Sequence, residues 1–172
     1  MAKGPRFSRH FRSIVECLDR HGVGYVLIGG IAAMLHDVGI EETLDVDVVP
    51  HKKRQNLRAL AEALRDMDAR LRVPDDPGGV EIPLDERTFR DMSTMTFVTR
   101  FGPFDILFEP DGGGDFDRLR EHATVMRRFD IDIYVASVDD LVSMKRATGR
   151  EKDASHLEVL LRFLEARKEP DS

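Results

Sequence analysis

The chain has 172 residues, 41% hydrophobic and 34% charged, with a formal net charge of -6. That length suits one domain with a real core, and the acidic balance disfavours broad, non-specific wrapping of nucleic acid. No apolar run approaches the ~20 residues needed to cross a bilayer, and the N-terminus "MAKGPRFSRHF" lacks the apolar segment of a signal peptide.

The single cysteine, Cys17, cannot close an internal disulfide and is expected as a buried thiol, so a cytoplasmic protein is expected. Residues 9–21 read as a helix capped by Ser8, with Phe11, Ile14, Val15 and Leu18 at the spacing of one helical face. "HGVG" stops it, "YVLI" forms a short strand, and "IAAMLHD" reads as a second helix. In "LDVDVV" the alternation puts Leu44, Val46 and Val48 on one face of a strand and Asp45 and Asp47 on the other, with Pro50 ending it. A longer helix over about 52–69 carries Leu57, Leu60, Ala61, Leu64 and Met67 on its inner stripe.

"RVPDDPGGVEIP" is rich in turn formers and is expected as a surface loop, followed by a short helix within "LDERTFRDM". "MTFVTR" and "FDILFE" read as an antiparallel hairpin joined by "FGP". "PDGGGD" is expected as a flexible surface turn, "FDRLREHA" as a short helix and "IDIYVA" as a strand. Ser137 caps a helix from Val138, with Asp140 as the acidic partner of a box-like cap. A last helix near 152–167 is lined by Leu157, Leu160, Leu161 and Leu164. The pattern is a mixed α/β (α+β) domain ending in two helices, without the regular βαβ series of a doubly wound fold.

Two acids at strand spacing have α-carbons roughly 6.5 Å apart and project from the same face. Like charges so placed disfavour each other's ionised form unless a cation lies between them, and bare burial of a carboxylate costs several kcal/mol. A hard divalent cation, magnesium or manganese, answers both problems with oxygen ligands. Asp105, which alternates with Phe104 and Ile106, is a third candidate ligand from a neighbouring strand. Three such carboxylates can hold two ions about 3.5–4 Å apart for phosphoryl or nucleotidyl transfer, and Asp105 could also take the acceptor's proton. Gly29 and Gly30 let backbone approach a phosphate ahead of a helix N-terminus, although neither a Walker A loop nor a GxGxxG fingerprint follows.

Together, Gly29, Gly30, Asp45, Asp47 and Asp105 resemble the nucleotidyltransferase superfamily of DNA polymerase beta type. More closely, "VLIGGIAAMLH", "TLDVDVV", "TRFGPFDIL" and "VASVDDLVSMKRATGREKD" look like small stand-alone bacterial members grouped with the AbiEii and MenT toxins. The resemblance implies a nucleotidyltransferase fold, a small mixed β-sheet flanked by helices with a C-terminal helical pair. It divides the chain into a core at 1–136, a helical extension packed on it at 137–168 and a disordered tail at 169–172. It further implies an NTP donor, magnesium or manganese on Asp45, Asp47 and Asp105, and triphosphate contacts from Gly29, Gly30 and Thr43. Lys145, Lys152 and Asp153 match the toxin-like group's catalytic lysines and aspartate. Physically, Arg150 would join Lys145 in countering triphosphate charge. Fourteen residues separate Gly30 from Asp45, slightly more than usual, and Glu41 stands where that group often has arginine.

The function expected is transfer of a nucleoside monophosphate to an acceptor hydroxyl with release of pyrophosphate. An RNA or tRNA end is the favoured acceptor, slightly supported by the basic stretches 52–72 and 118–128, and the protein could be the toxin of a toxin–antitoxin pair. The alternatives are a non-catalytic module that binds nucleotide or antitoxin, a protein AMPylator, and an aminoglycoside-type small-molecule nucleotidyltransferase. A membrane partner is not expected.

Overall fold

The computed structural model describes residues 7–40 and 43–168, apart from the side chain of Lys152. Helix α1 (Arg9–Arg20) begins where the Ser8 hydroxyl accepts a hydrogen bond from the Phe11 N–H, and its inner face buries Phe11, Ile14, Val15, Cys17 and Leu18. The four-residue strand β1 (Tyr25–Ile28) is buried along its whole length and runs into helix α2 (Gly29–Leu35). Strand β2 (Val46–Pro50) follows, then helix α3 (Arg54–Asp66), whose Leu57, Leu60, Ala61 and Leu64 face the core.

The turn-rich stretch expected as a loop is instead a hairpin, β3 (Arg70–Val73) and β4 (Asp76–Val80). Its alternation of Arg70 and Arg72 with Leu71 and Val73 is a strand pattern. Pro77 and the two following glycines are tolerated because β4 is the outermost strand, where missing ladder donors cost little. Helix α4 (Glu86–Arg90) leads to β5 (Thr94–Thr99) and β6 (Gly102–Leu107). These pair antiparallel from Thr94 opposite Leu107 to Thr99 opposite Gly102, so the turn is Arg100–Phe101 and "GP" opens the second strand.

Helix α5 (Phe116–His122) precedes a strand that the sequence did not disclose, β7 (Thr124–Arg128), paired antiparallel with β8 (Ile131–Val135). Phe129 and Asp130 turn this hairpin with φ of 55° and 62°, the left-handed pair of a type I′ turn without the usual Asn-Gly. Helices α6 (Val138–Thr148) and α7 (Glu151–Lys168) close the described chain and pack on each other. No helix among the described residues is long and apolar enough to cross a membrane.

The eight described strands form one mixed sheet in the order β4-β3-β5-β6-β2-β1-β8-β7. The β2–β6 and β1–β8 pairs are parallel and the rest antiparallel. Side chains of registered residues project from the same face. Leu27, Val48, Ile106 and Met95 therefore make one buried row, with Val46, Phe104 and Phe97 beside it. Tyr25, Phe97 and Phe108 are core residues. Leu160 of α7 is fully buried in the same core.

Two local readings change. The carboxylate of Asp140 does not serve a capping box. Its N–H donates to the Ser137 hydroxyl, but its buried side chain takes Arg118 at 3.2 Å and faces His122 at 3.5 Å. The glycine-rich "PDGGGD" is no free surface turn either. A Cβ on Gly112 would sit 2.4 Å from the Ser143 carbonyl oxygen, so its backbone lies directly on α6.

Candidate active site

The register of β2 on β6 sets Asp47 directly opposite Asp105. The β5–β6 register adds Thr96 opposite Asp105, and the β1–β2 register adds Ile28 opposite Asp47. One row on the face away from Phe104 and Ile106 thus reads Thr96, Asp105, Asp47, Ile28. Asp45 lies just before β2 and is exposed; Leu44 is 54% exposed rather than continuing the apolar face of the strand. No choice of one oxygen from each of Asp45, Asp47 and Asp105 brings all three within 4.8 Å of one another. The structure therefore gathers two of the three acids and leaves the third at the mouth.

Burial first, then the facing Asp105 charge and Asp45, push Asp47 up to about 8, with Lys145 pulling the other way. Burial also raises Asp105, helped by Asp45, while its hydrogen bond with Asp47, the Arg72 charge and Thr96 hold it down. Two facing carboxyls so placed resist losing both protons, so the pair retains one between them. Oδ1 of Asp105 is buried and has no hydrogen-bond partner among the described residues. An orphaned, buried carboxylate oxygen within an all-oxygen donor set fits a hard divalent cation, which would replace the shared proton.

The glycines are explained by what lies against them. Gly29 has φ of +74°, and a Cβ there would stand 2.3 Å from Oδ2 of Asp47. A Cβ on Gly30 would meet the Thr43 methyl at 2.8 Å. Two side chains of the site thus press on bare backbone at the start of α2, whose flanking Ile28 supplies no side-chain cap.

From the other side, Lys145 Nζ donates to Oδ1 of Asp153 at 2.8 Å, and the Thr148 hydroxyl donates to its Oδ2 at 3.0 Å. Burial opposes it, but Lys145, Thr148 and Arg150 together hold Asp153's carboxyl below its usual range. Arg150 itself is exposed. Asp153→Asn is expected to cost about 1–3 kcal/mol, because it leaves a mostly buried ammonium without its charged partner. A drop in the urea midpoint at constant slope checks this. Glu41 and the Lys152 side chain lie outside the described residues.

Arg72, Thr96 and Thr148 were not singled out from sequence, since their place beside the acids depends on strand pairing and helix packing. His36 is not a ligand: its Nε2 meets the Ala136 carbonyl at 2.7 Å. Part of each basic stretch is ion-paired. Arg54, Arg58 and Arg90 converge on Glu86, Arg65 takes Glu62, Arg70 takes Glu81 and Arg127 takes Asp132.

A tighter group, Cys17, His21 and Asp66, has one possible ligand atom from each within 4.8 Å of the others. It works as a structural clasp. Arg20 of α1 and His21, which caps it, meet Oδ2 of Asp66, and Arg100 reaches its Oδ1 from the β5–β6 turn. The Cys17 thiol, pushed up to about 11 by burial and by Asp66, stays protonated. His21 and Arg20 hold Asp66 down to about 2. A depressed acid stabilises the fold above its unfolded value near 3.8 and loses that contribution as pH falls through 2. Asp66→Asn is therefore expected to lower the thermal midpoint at pH 7, with the gap to wild type closing toward pH 2.

No protein-family model matches the chain, and no curated protein matches it. Solved structures do. The lincomycin-bound lincosamide antibiotic adenylyltransferase LnuA aligns with a TM-score of 0.58 at 16% identity, over 91% of this chain and 98% of that one. A Thermotoga maritima protein described as a nucleotidyltransferase gives 0.52 at 15%, over 90% and 92%. The antibiotic-resistance factor ANT(2'')-Ia gives 0.57 at 10%, over 92% and 84%. The chain has the nucleotidyltransferase fold.

Proposed function

We propose that the protein is a metal-dependent nucleotidyltransferase that moves a nucleoside monophosphate from an NTP to an acceptor hydroxyl. The observation that carries this reading is the Asp47–Asp105 pair, facing across parallel strands with an orphaned oxygen, beside the bare start of α2. Similarity to adenylyltransferase structures supports it through the fold.

In this reading Asp45, Asp47 and Asp105 hold magnesium or manganese, which when bound neutralises triphosphate charge and polarises the acceptor oxygen. Gly29, Gly30 and Thr43 lie where the triphosphate would rest, and backbone N–H groups at an uncapped helix start suit an anion. Lys145, held by Asp153, adds positive charge from α6 together with Arg150, and the sequence resemblance assigns Lys152 to the same role. The acceptor oxygen attacks the α-phosphorus, its O–P bond forms, and the bond to the bridging oxygen of pyrophosphate breaks. Pyrophosphate leaves, and the hydroxyl proton passes to Asp105.

An RNA end as acceptor, and the role of a toxin paired with an antitoxin, follow from the resemblance in sequence. Ion pairs engage Arg54, Arg58, Arg65 and Arg70, and leave Lys52, Lys53 and Arg72 without a salt bridge among the described residues. The test of the reaction is incubation with Mg²⁺ and each α-labelled NTP, with total RNA, with protein lysate and with a small-molecule pool. Label appearing in one acceptor class with stoichiometric pyrophosphate supports the reading. Label in none of them, with all four NTPs, would sink it.

A further inference from the structure

The row of site residues continues beyond Asp105. Arg70 and Leu71 of β3 pair with Val98 and Phe97 of β5, so the next residue, Arg72, falls in line with Thr96 and Asp105. Its charge reaches Asp105. Beyond that row an open groove of about 740 Å³ runs between the two hairpins, lined by Arg72, Val73, Pro77, Thr96, Val98 and Pro103. Thr96 lies in the groove wall and also opposite Asp105, one strand spacing of about 5 Å from it. The groove wall at Thr96 is therefore the strand neighbour of the acid assigned to receive the acceptor's proton.

We propose that this groove is the acceptor site, and that it takes a small hydroxylated molecule with an apolar ring face, of glycoside type, rather than a nucleic-acid end. The inference rests on the transferase reading above. Its volume lies within the range of small-molecule sites, about 300–1,000 Å³. Valine and proline surfaces match the C–H face of a sugar or alicyclic ring. Arg72, Thr96 and Asp76 offer donors and acceptors to its hydroxyls. Nucleic-acid ends are bound by base stacking on aromatic rings and by several cations along the phosphates. No aromatic residue lines this groove, and Arg72 is its single cation among the described residues.

The probes are phenyl β-D-glucoside and a short RNA oligonucleotide with a free 3′ hydroxyl, each added to the full chain with Mn²⁺-free magnesium buffer and a non-hydrolysable NTP. Methyl and amide resonances of Val73, Thr96 and Val98 report the groove. The glucoside is expected to shift them saturably in wild type. In Val98→Arg its affinity should fall at least about tenfold, since the new side chain fills the groove. Val73→Arg repeats the block from the hairpin wall in case Val98→Arg does not fold. NTP binding should be unchanged in both variants. Shifts at these residues from RNA and not from glucoside would overturn the proposal, as would no shift from either probe. Nucleotide binding in the same samples reports the donor site separately, so loss of the acceptor assignment and loss of the transferase reading are told apart.

Discussion

Asp47→Asn is expected to raise stability and abolish transfer at once. The pair Asp47 and Asp105 is burdened by a carboxyl pushed up to about 8. A raised acid stabilises the fold only below its unfolded value near 3.8, and the contribution is lost as pH rises through 8. In metal-free buffer the native state therefore weakens between pH 4 and 8, and removing one of the two charges relieves it. The variant should gain about 1–3 kcal/mol at pH 8 and nothing measurable near pH 4. Transfer should fall at least ~10²-fold, since a proposed metal ligand is gone. Thermal unfolding across pH, with and without Mg²⁺, checks the first half. A variant less stable than wild type at pH 8 would mean that the two acids are not in conflict.

Gly29→Ala is the second large effect, and it separates two causes. At φ of +74° any side chain is strained, by about 1–2 kcal/mol. The added methyl would also stand 2.3 Å from Oδ2 and 3.1 Å from Cγ of Asp47, so that carboxylate would have to shift. Gly149 supplies the control: it has φ of +59° with nothing within 4 Å of its Cβ position. Gly149→Ala should lose only the conformational part, about 1 kcal/mol. Gly29→Ala should lose at least about 2 kcal/mol and most of its metal-dependent transfer. Equal losses in the two variants, measured in urea, would show that the approach of Asp47 to Gly29 is unimportant.

Much of this site was legible in the chain because strand alternation is a local signal. "DVDVV" and "FDIL" each put acids opposite buried apolar residues, and the parallel pairing then needed only the right register. That register depends on contacts between residues far apart in sequence, which is why Thr96 was missed and Arg72 was seen only as a cation of the 52–72 stretch. The β3–β4 hairpin was hidden by Pro and Gly, residues that mark loops except on an outer strand. Strand β7, "TVMRR", was hidden for a related reason: its residues are exposed or half-buried, so no clean alternation marks it. Phe129–Asp130 gave no turn signal because left-handed φ is unusual for phenylalanine and no glycine follows. The glycine pair was seen, but its reason was not. Sequence pointed to a phosphate; the structure adds that Asp47 and Thr43 pack against the two glycines, which no local pattern discloses.

Manganese binding followed by electron paramagnetic resonance, with a non-hydrolysable NTP present, tests the central assignment most directly. Wild type should bind the ion, with at least ~10-fold weaker binding in Asp47→Asn and in Asp105→Asn and no change in Asp66→Asn. Undiminished binding in both strand variants, or a loss confined to Asp66→Asn, would contradict it.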